Sequence, residues 1–185
     1  MYSTVMQKAI LVVWKVKWLL FLSLHFQRRR IFMVRIEQVL RNEKGENVLN
    51  DYFETITIKG GDIIVKKEGL FGLYDAVTYN KILDCEWDKI VFDGNYIMVS
   101  RCAKFGLYDR DGKVVLEAIW DKLVLRTNGI LATNNGFQGF FKYNGVVLLE
   151  CVWKRIEPHA QCMLAYMGKG AKSVMYNYDG TIKEE

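Results

Sequence analysis

The chain has 185 residues, enough for one domain or one short array of repeats. With 51% hydrophobic and 14% aromatic residues, one proline and fifteen glycines, it falls outside the mainly disordered class and fits strands joined by tight turns. The formal charge of +5 comes from residues 1–32, which hold six basic residues and no acid and so carry +6; the remainder has 20 basic against 21 acidic residues, about −1, so no nucleic-acid partner is expected.

Residues 9–26, AILVVWKVKWLLFLSLHF, are strongly apolar, interrupted by Lys15 and Lys17 and followed by Arg28, Arg29 and Arg30. A bilayer span needs about 20 apolar residues, and a central lysine costs on the order of 2.5–3.5 kcal/mol on insertion. Spanning is marginal yet open, because lysine can snorkel and the arginines would anchor a cytoplasmic end. A charged apolar core without a small-residue cleavage site speaks against a secretory signal. Lys15 and Lys17 point to nearly opposite sides of a helix, so no amphipathic face forms. Three readings of this apolar, basic leader stand: an upstream extension or disordered tail, with translation beginning at Met33; an apolar helix that enters a membrane or docks on a partner; or a helix packed on the rest of the chain.

From Arg35 the pattern becomes β. Residues 36–40 and 47–49 flank the turn Glu43-Lys44-Gly45, and Tyr52 stands roughly where later units have Trp, making residues 35–68 an imperfect first unit. Units 69–102, 103–136 and 137–170 follow, then a half unit, 171–185. Strands are expected near 71–74, 81–85 and 96–100 in the first full unit. The turns Asp109-Arg110-Asp111-Gly112 and Tyr143-Asn144-Gly145 supply hairpin glycines, the Asn-Gly pair being the best short hairpin signal in the chain.

The units keep a common beat. Gly72, Gly106 and Gly139 are 34 and 33 residues apart, and Trp87, Trp120 and Trp153 are each 33 apart. Two independent markers with one period indicate tandem repeats. The expected fold is all-β: three-stranded antiparallel meanders of about 33 residues in a short twisted array, with a closed propeller-like ring as the alternative. Phe71, Gly72, Trp87, Phe105, Gly106, Trp120, Gly139 and Trp153 are the repeat-core positions.

The segment KFGLYDRDGKVVLEAIWDKL, residues 104–123, resembles the bacterial WG repeat, whose units run Lys-Trp-Gly-Leu-Ile-Asp, a Gly-Lys turn, a Val-Ile-Pro strand and Tyr-Asp-x-Ile. Phe71-Gly72 and Phe105-Gly106 stand for the Trp-Gly pair, and Trp87-Asp88-Lys89-Ile90 and Trp120-Asp121-Lys122-Leu123 for the Tyr-Asp segment. The resemblance covers about residues 35–183, within a repeat region of 33–185. It departs at Gln138, where the naming Trp is absent, and at Asp84, Glu117 and Glu150, which replace the prolines. It implies a repeat scaffold and brings no catalytic residues.

Candidate sites are few. The Trp row is read as core, since Leu83, Leu116 and Leu149 lie four residues before each Trp on the same face. Asp84, Glu117 and Glu150 form an acidic row and Lys89, Lys122 and Arg155 a basic one, read as a solvated face with weak pairing between units. Repetition gives these carboxylates similar environments, whereas acid–base catalysis needs dissimilar ones. Cys85 and Cys151 share a repeat position with Ala118 and are read as small buried side chains, and with Cys102 and Cys162 they form no metal-ligand spacing. His25 and His159 have no motif partners, and Met167-Gly168-Lys169-Gly170-Ala171-Lys172 lacks phosphate-loop spacing. No catalytic, metal or cofactor site is expected. The expected function is a non-enzymatic scaffold for a protein partner, with carbohydrate or cell-surface binding through Tyr79, Tyr96 and Tyr166 as the alternative. A cytoplasmic location is expected, with membrane anchoring through residues 9–26 as its alternative.

Overall fold

A computed structural model describes residues 11–18, 34–168, 170 and 172–183. The described chain is all-β and divides into two compact units, Met1–Asp88 and Lys89–Glu185.

In the first unit, β1 (Leu11–Trp18) pairs antiparallel with β2 (Val34–Arg41). The apolar helix or disordered tail expected of the leader is therefore corrected at residues 11–18, where backbone bonding to 34–41 gives a strand; the rest of the leader lies outside the described residues. A four-stranded antiparallel meander follows: β3 (Thr55–Lys59), β4 (Asp62–Lys67), β5 (Leu70–Asp75) and β6 (Lys81–Trp87). Its core joins Leu40, Leu49 and Phe53 to Ile63 and Val65 of β4, with alternating residues along β4 turned inward.

The second unit repeats the meander. β7 (Lys89–Asp93), β8 (Tyr96–Arg101), β9 (Lys104–Asp109) and β10 (Val114–Trp120) form one sheet; β11 (Lys122–Arg126), β12 (Gly129–Asn134), β13 (Phe137–Phe141) and β14 (Val147–Trp153) form the next. β15 (Arg155–Pro158), β16 (Met163–Tyr166) and β17 (Ser173–Tyr176) form a third, extended by a Tyr176–Ile182 bridge. Leu107, Leu116 and Trp120 pack on Leu123, Ile130, Ala132 and Phe141 between the β7–β10 and β11–β14 sheets. Leu131, Phe140 and Leu149 pack on Ile156, Met163 and Ala165 of the next.

Complete sheets therefore carry four strands where three were expected. The unforeseen strand follows each Trp, as in KIVFD at β7 and KLVLR at β11. A single residue, Asp121, separates β10 from β11, and Lys154 alone separates β14 from β15. Without a Gly, Pro or Asn cluster between them, two strands read as one.

The three-residue turns keep one geometry. Asp109 N–H donates to Lys113 O and Gly112 N–H to Asp109 O, and Lys142 and Gly145 repeat both bonds with Val146 and Lys142. Gly145 has φ 84°, so Asn144-Gly145 closes a three-residue loop ending in a left-handed glycine rather than a two-residue turn. The 34-residue step has a local cause: the equivalent turn runs from Asp75 to Asn80, one residue longer than Asp109 to Lys113.

The opposite hairpins are two-residue turns with both φ values positive: Glu68-Gly69 (54°, 83°), Cys102-Ala103 (50°, 61°) and Asn135-Gly136 (52°, 76°). This geometry favours Asn-Gly, and an L-residue there costs about 1–2 kcal/mol. Ala103→Gly is expected to raise stability by up to about 1 kcal/mol, a gain of about 2–4 °C in thermal midpoint for a chain of this size. An unchanged or lowered midpoint would contradict the strain.

Candidate functional site

The repeat-core residues occupy corresponding places. Trp87 and Trp120 are buried and Trp153 is half-buried, ending β6, β10 and β14 beside the buried Leu83, Leu116 and Leu149 of the same strands. Phe71 and Phe105 are half-buried opposite Trp87 and Trp120. Gly72, Gly106 and Gly139 are buried where the register slips: between Leu107 and Phe105 two steps of β9 face four of β10, from Leu116 to Trp120. The same slip occurs from Leu83 to Trp87 and from Leu149 to Trp153. The bowed strand crosses the glycine so closely that a Cβ at Gly106 would lie 3.0 Å from the Cα, Cβ and N of Ala118, and one at Gly139 3.1 Å from the Cα of Cys151. The Cys85, Ala118 and Cys151 position is thus small because it lies over that glycine.

The imperfect first unit is corrected at its aromatic. Gln38 bridges to Phe53 as Gln138 pairs with Trp153, so Phe53 holds the Trp position and is 1% exposed, whereas Tyr52 is 40% exposed. The same equivalence reveals two residues that the repeat pattern passes over. Gln38 Oε1 accepts from Ile56 N–H and Gln138 Oε1 from Ile156 N–H, both at 2.7 Å and both 18 residues on. Gln138 ties β13 to the first strand of the following sheet, where Phe71 and Phe105 offer no such acceptor. The signal lay in the sequence as two glutamines 100 residues apart, each seven residues before a turn glycine. Gln138→Ala leaves the Ile156 N–H without that acceptor and is expected to lower the unfolding free energy by about 1–3 kcal/mol, read from a urea midpoint; Gln138→Glu keeps the acceptor and loses less. Equal losses for the two variants would refute the bond's role.

Both charged rows are exposed. Asp84 pairs with Lys81 of its own strand at 2.5 Å and Arg155 pairs with Glu157, so these two charges bond locally rather than row to row. A further pair, Lys104 with Asp121, fixes the residue after Trp120; its hydrogen bond, then that from Asn135 N–H, holds the Asp121 carboxyl below its usual range. None of the four cysteines is in a disulfide, and burial pushes the Cys85 and Cys151 thiols up, away from reactive thiolate. Among the described residues no cluster of His, Cys, Asp and Glu could hold a metal. His159 is exposed in a loop; His25, Lys169 and Ala171 lie outside the described residues. Among the described residues no helix is long and apolar enough to cross a membrane.

The three tyrosines read as exposed platforms are each half-buried. Tyr79 packs against the first unit's core, and Tyr166 donates to the Glu157 carboxylate at 3.0 Å. Tyr96 lines a cleft of about 440 Å³ in the second unit, with Asp93, Gly94, Asn95, Leu125, Arg126, Thr127 and Tyr143. Two turns build it: β7–β8, whose Gly94 has φ 58°, and β11–β12. Tyr143, from the β13–β14 turn, stacks on Tyr96 with ring centres 4.7 Å apart and planes 20° apart, and donates to Arg126 O at 2.7 Å. Burial, then the neighbouring Tyr96 and Asp93, pushes the Tyr143 phenol up. A smaller cavity of about 270 Å³ in the first unit is lined by Glu37, Asp51, Tyr52, Phe53, Glu54, Lys67 and Glu68, with Asp51 and Lys67 paired at 2.5 Å.

No family model matches the chain, and no curated protein matches it. Among solved structures it is similar to Kluyveromyces lactis Hsv2, at 16% identity over 58% of this chain and 39% of that one, with a TM-score of 0.33. It is similar to the same protein with loop 6CD replaced by a Gly-Ser linker, at 11% identity over 82% and 60%, TM-score 0.33. A Hsv2 from Kluyveromyces marxianus gives 10% identity over 82% and 56%, TM-score 0.35. The chain spans less than two thirds of the length of each of these structures, and scores at this level set no expectation of activity or partner.

Proposed function

We propose that this chain is a non-enzymatic scaffold of WG-like β-repeats that binds a protein partner. The observation that carries the reading is a periodic exposed row on β10 and β14. Val114 and Ile119 of β10 are 40% and 54% exposed, and their counterparts Val147 and Val152 of β14 are 43% and 51% exposed. A single exposed aliphatic residue is ordinary, but the same two positions left apolar in consecutive copies form a patterned surface. Glu117 and Glu150 lie between the members of each pair and are exposed. Both strands end their sheets, and the bulge in each blunts pairing with a further strand, so recognition falls to side chains. Aliphatic residues interleaved with carboxylates complement an extended segment in which aliphatic residues alternate with Lys or Arg.

The test is titration of a labelled peptide of alternating lysine and valine into the full chain, followed by anisotropy. Binding is expected to weaken at least tenfold in the Ile119→Lys/Val152→Lys double variant and to fall with added salt, while the thermal midpoint holds. An acidic peptide of the same length is expected not to bind. Equal affinity for both peptides, or no effect of the double variant, overturns the reading.

A further inference from the structure

The cleft lined by Tyr96 and Tyr143 shares no residue with the apolar row, and its chemistry selects a different ligand. We propose that it binds a neutral sugar of one or two pyranose rings. Its volume of about 440 Å³ falls in the range of small-molecule sites, about 300–1,000 Å³. One carboxylate, Asp93, and one guanidinium, Arg126, line it, so neither an anion nor a cation meets a uniform field. Asn95 and Thr127 complete a polar wall that both donates and accepts, which matches hydroxyl groups able to do both. Those four side chains are exposed and reach solvent from two adjacent turns.

The aromatic side of the cleft is already formed. Tyr143 is held by its hydrogen bond to Arg126 O and by its stack on Tyr96, so little ordering is left for the ligand to bring about. The rings and Leu125 offer an apolar border to the C–H face of a pyranose. The site also breaks the repeat. Residues equivalent to Tyr96 in the other sheets are Asp62, Gly129 and Cys162. Where this turn has Tyr143 the preceding sheet has Arg110, lying over Phe92 at 4.7 Å, and the following turn has Tyr178, which donates to His159 O as Tyr143 does to Arg126 O. The turn tyrosine recurs, so the asymmetry that separates this site from the structural repeat lies at Tyr96 and its stack on Tyr143.

The experiment is saturation-transfer NMR on the full chain with glucose, galactose, mannose, N-acetylglucosamine and cellobiose, with inorganic phosphate and free lysine titrated in parallel by chemical-shift perturbation. Transfer to at least one sugar is expected, with no shift from phosphate or lysine. Asp93→Ala and Arg126→Ala, both at exposed positions, are expected to weaken binding at least tenfold without moving the thermal midpoint. Tyr96→Ala is expected to weaken it as much and also to lower the midpoint, because Tyr96 is half-buried and stacked on Tyr143. The Ile119→Lys/Val152→Lys variant is expected to keep full sugar binding, so failure of this site and failure of the protein-partner reading appear in different variants. Absence of transfer from all five sugars, preference for phosphate or lysine, or sugar binding that survives both cleft substitutions overturns the proposal.

Discussion

Trp120→Ala is expected to lower the unfolding free energy by about 3–5 kcal/mol, the largest effect of any single substitution considered for this chain. The indole is buried among Leu107, Leu116, Leu123, Ile130, Ala132 and Phe141, and meets the Phe141 ring edge-on at 5.0 Å. It joins two sheets, so its loss opens a cavity at the seam rather than within one sheet. Its Nε1 is buried with no hydrogen-bond partner in the structure, and a donor left in that condition costs about 1–3 kcal/mol. Trp120→Phe removes that donor while keeping most of the apolar volume, and is expected to lose less than about 1.5 kcal/mol. Trp153, half-buried and edge-on to Tyr176 at 5.7 Å, is expected to cost less than Trp120 when truncated to Ala. Denaturant midpoints with matched slopes measure all three. A Trp153→Ala loss equal to or above that of Trp120→Ala would falsify the ranking of the two seams.

The second large effect is expected at Gly106. A methyl group there meets the Cα, Cβ and N of Ala118 at 3.0 Å, and backbone atoms held in a bulge give way less than a side-chain end. Gly106→Ala is expected to cost about 1–3 kcal/mol, and Gly106→Val more. Adding Ala118→Gly removes one of the three close atoms, so the double variant is expected to recover part of the loss, with a coupling of about 0.5–3 kcal/mol in a double-mutant cycle. Gly61, where an added Cβ meets nothing within 4 Å, is the control and is expected to change by less than about 0.5 kcal/mol as alanine. Strict additivity of the two substitutions would show that the close approach does not restrain the bulge.

How much of this was legible in the sequence differs from residue to residue. The Trp and Gly beats were plain, and so was the inward face of the Trp strand, because Leu four residues earlier shares it. The strand after each Trp was hidden by a one-residue junction carrying no turn chemistry. Gln138 looked like a lapse from the pattern at the position of the WG tryptophan, although its side chain accepts a bond from Ile156, 18 residues away. Tyr52 outranked Phe53 by aromatic type alone, and only the Gln38 bridge shows which of the two takes the Trp place. The cleft was not legible: Asp93, Arg126 and Tyr143 come from three different turns, and no spacing announces that they meet.

The sequence by itself determined the period, the β class and the inward face of the strands that end in Trp87 and Trp120, since each follows from local alternation and from the need of every copy to bury the same face. Tertiary structure alone decided the four-strand sheets, the bulge that makes Gly72, Gly106 and Gly139 necessary, and the meeting of Tyr96 with Tyr143. Those depend on which backbone runs beside which, and hydrogen-bond register between segments tens of residues apart leaves no mark in the composition of either.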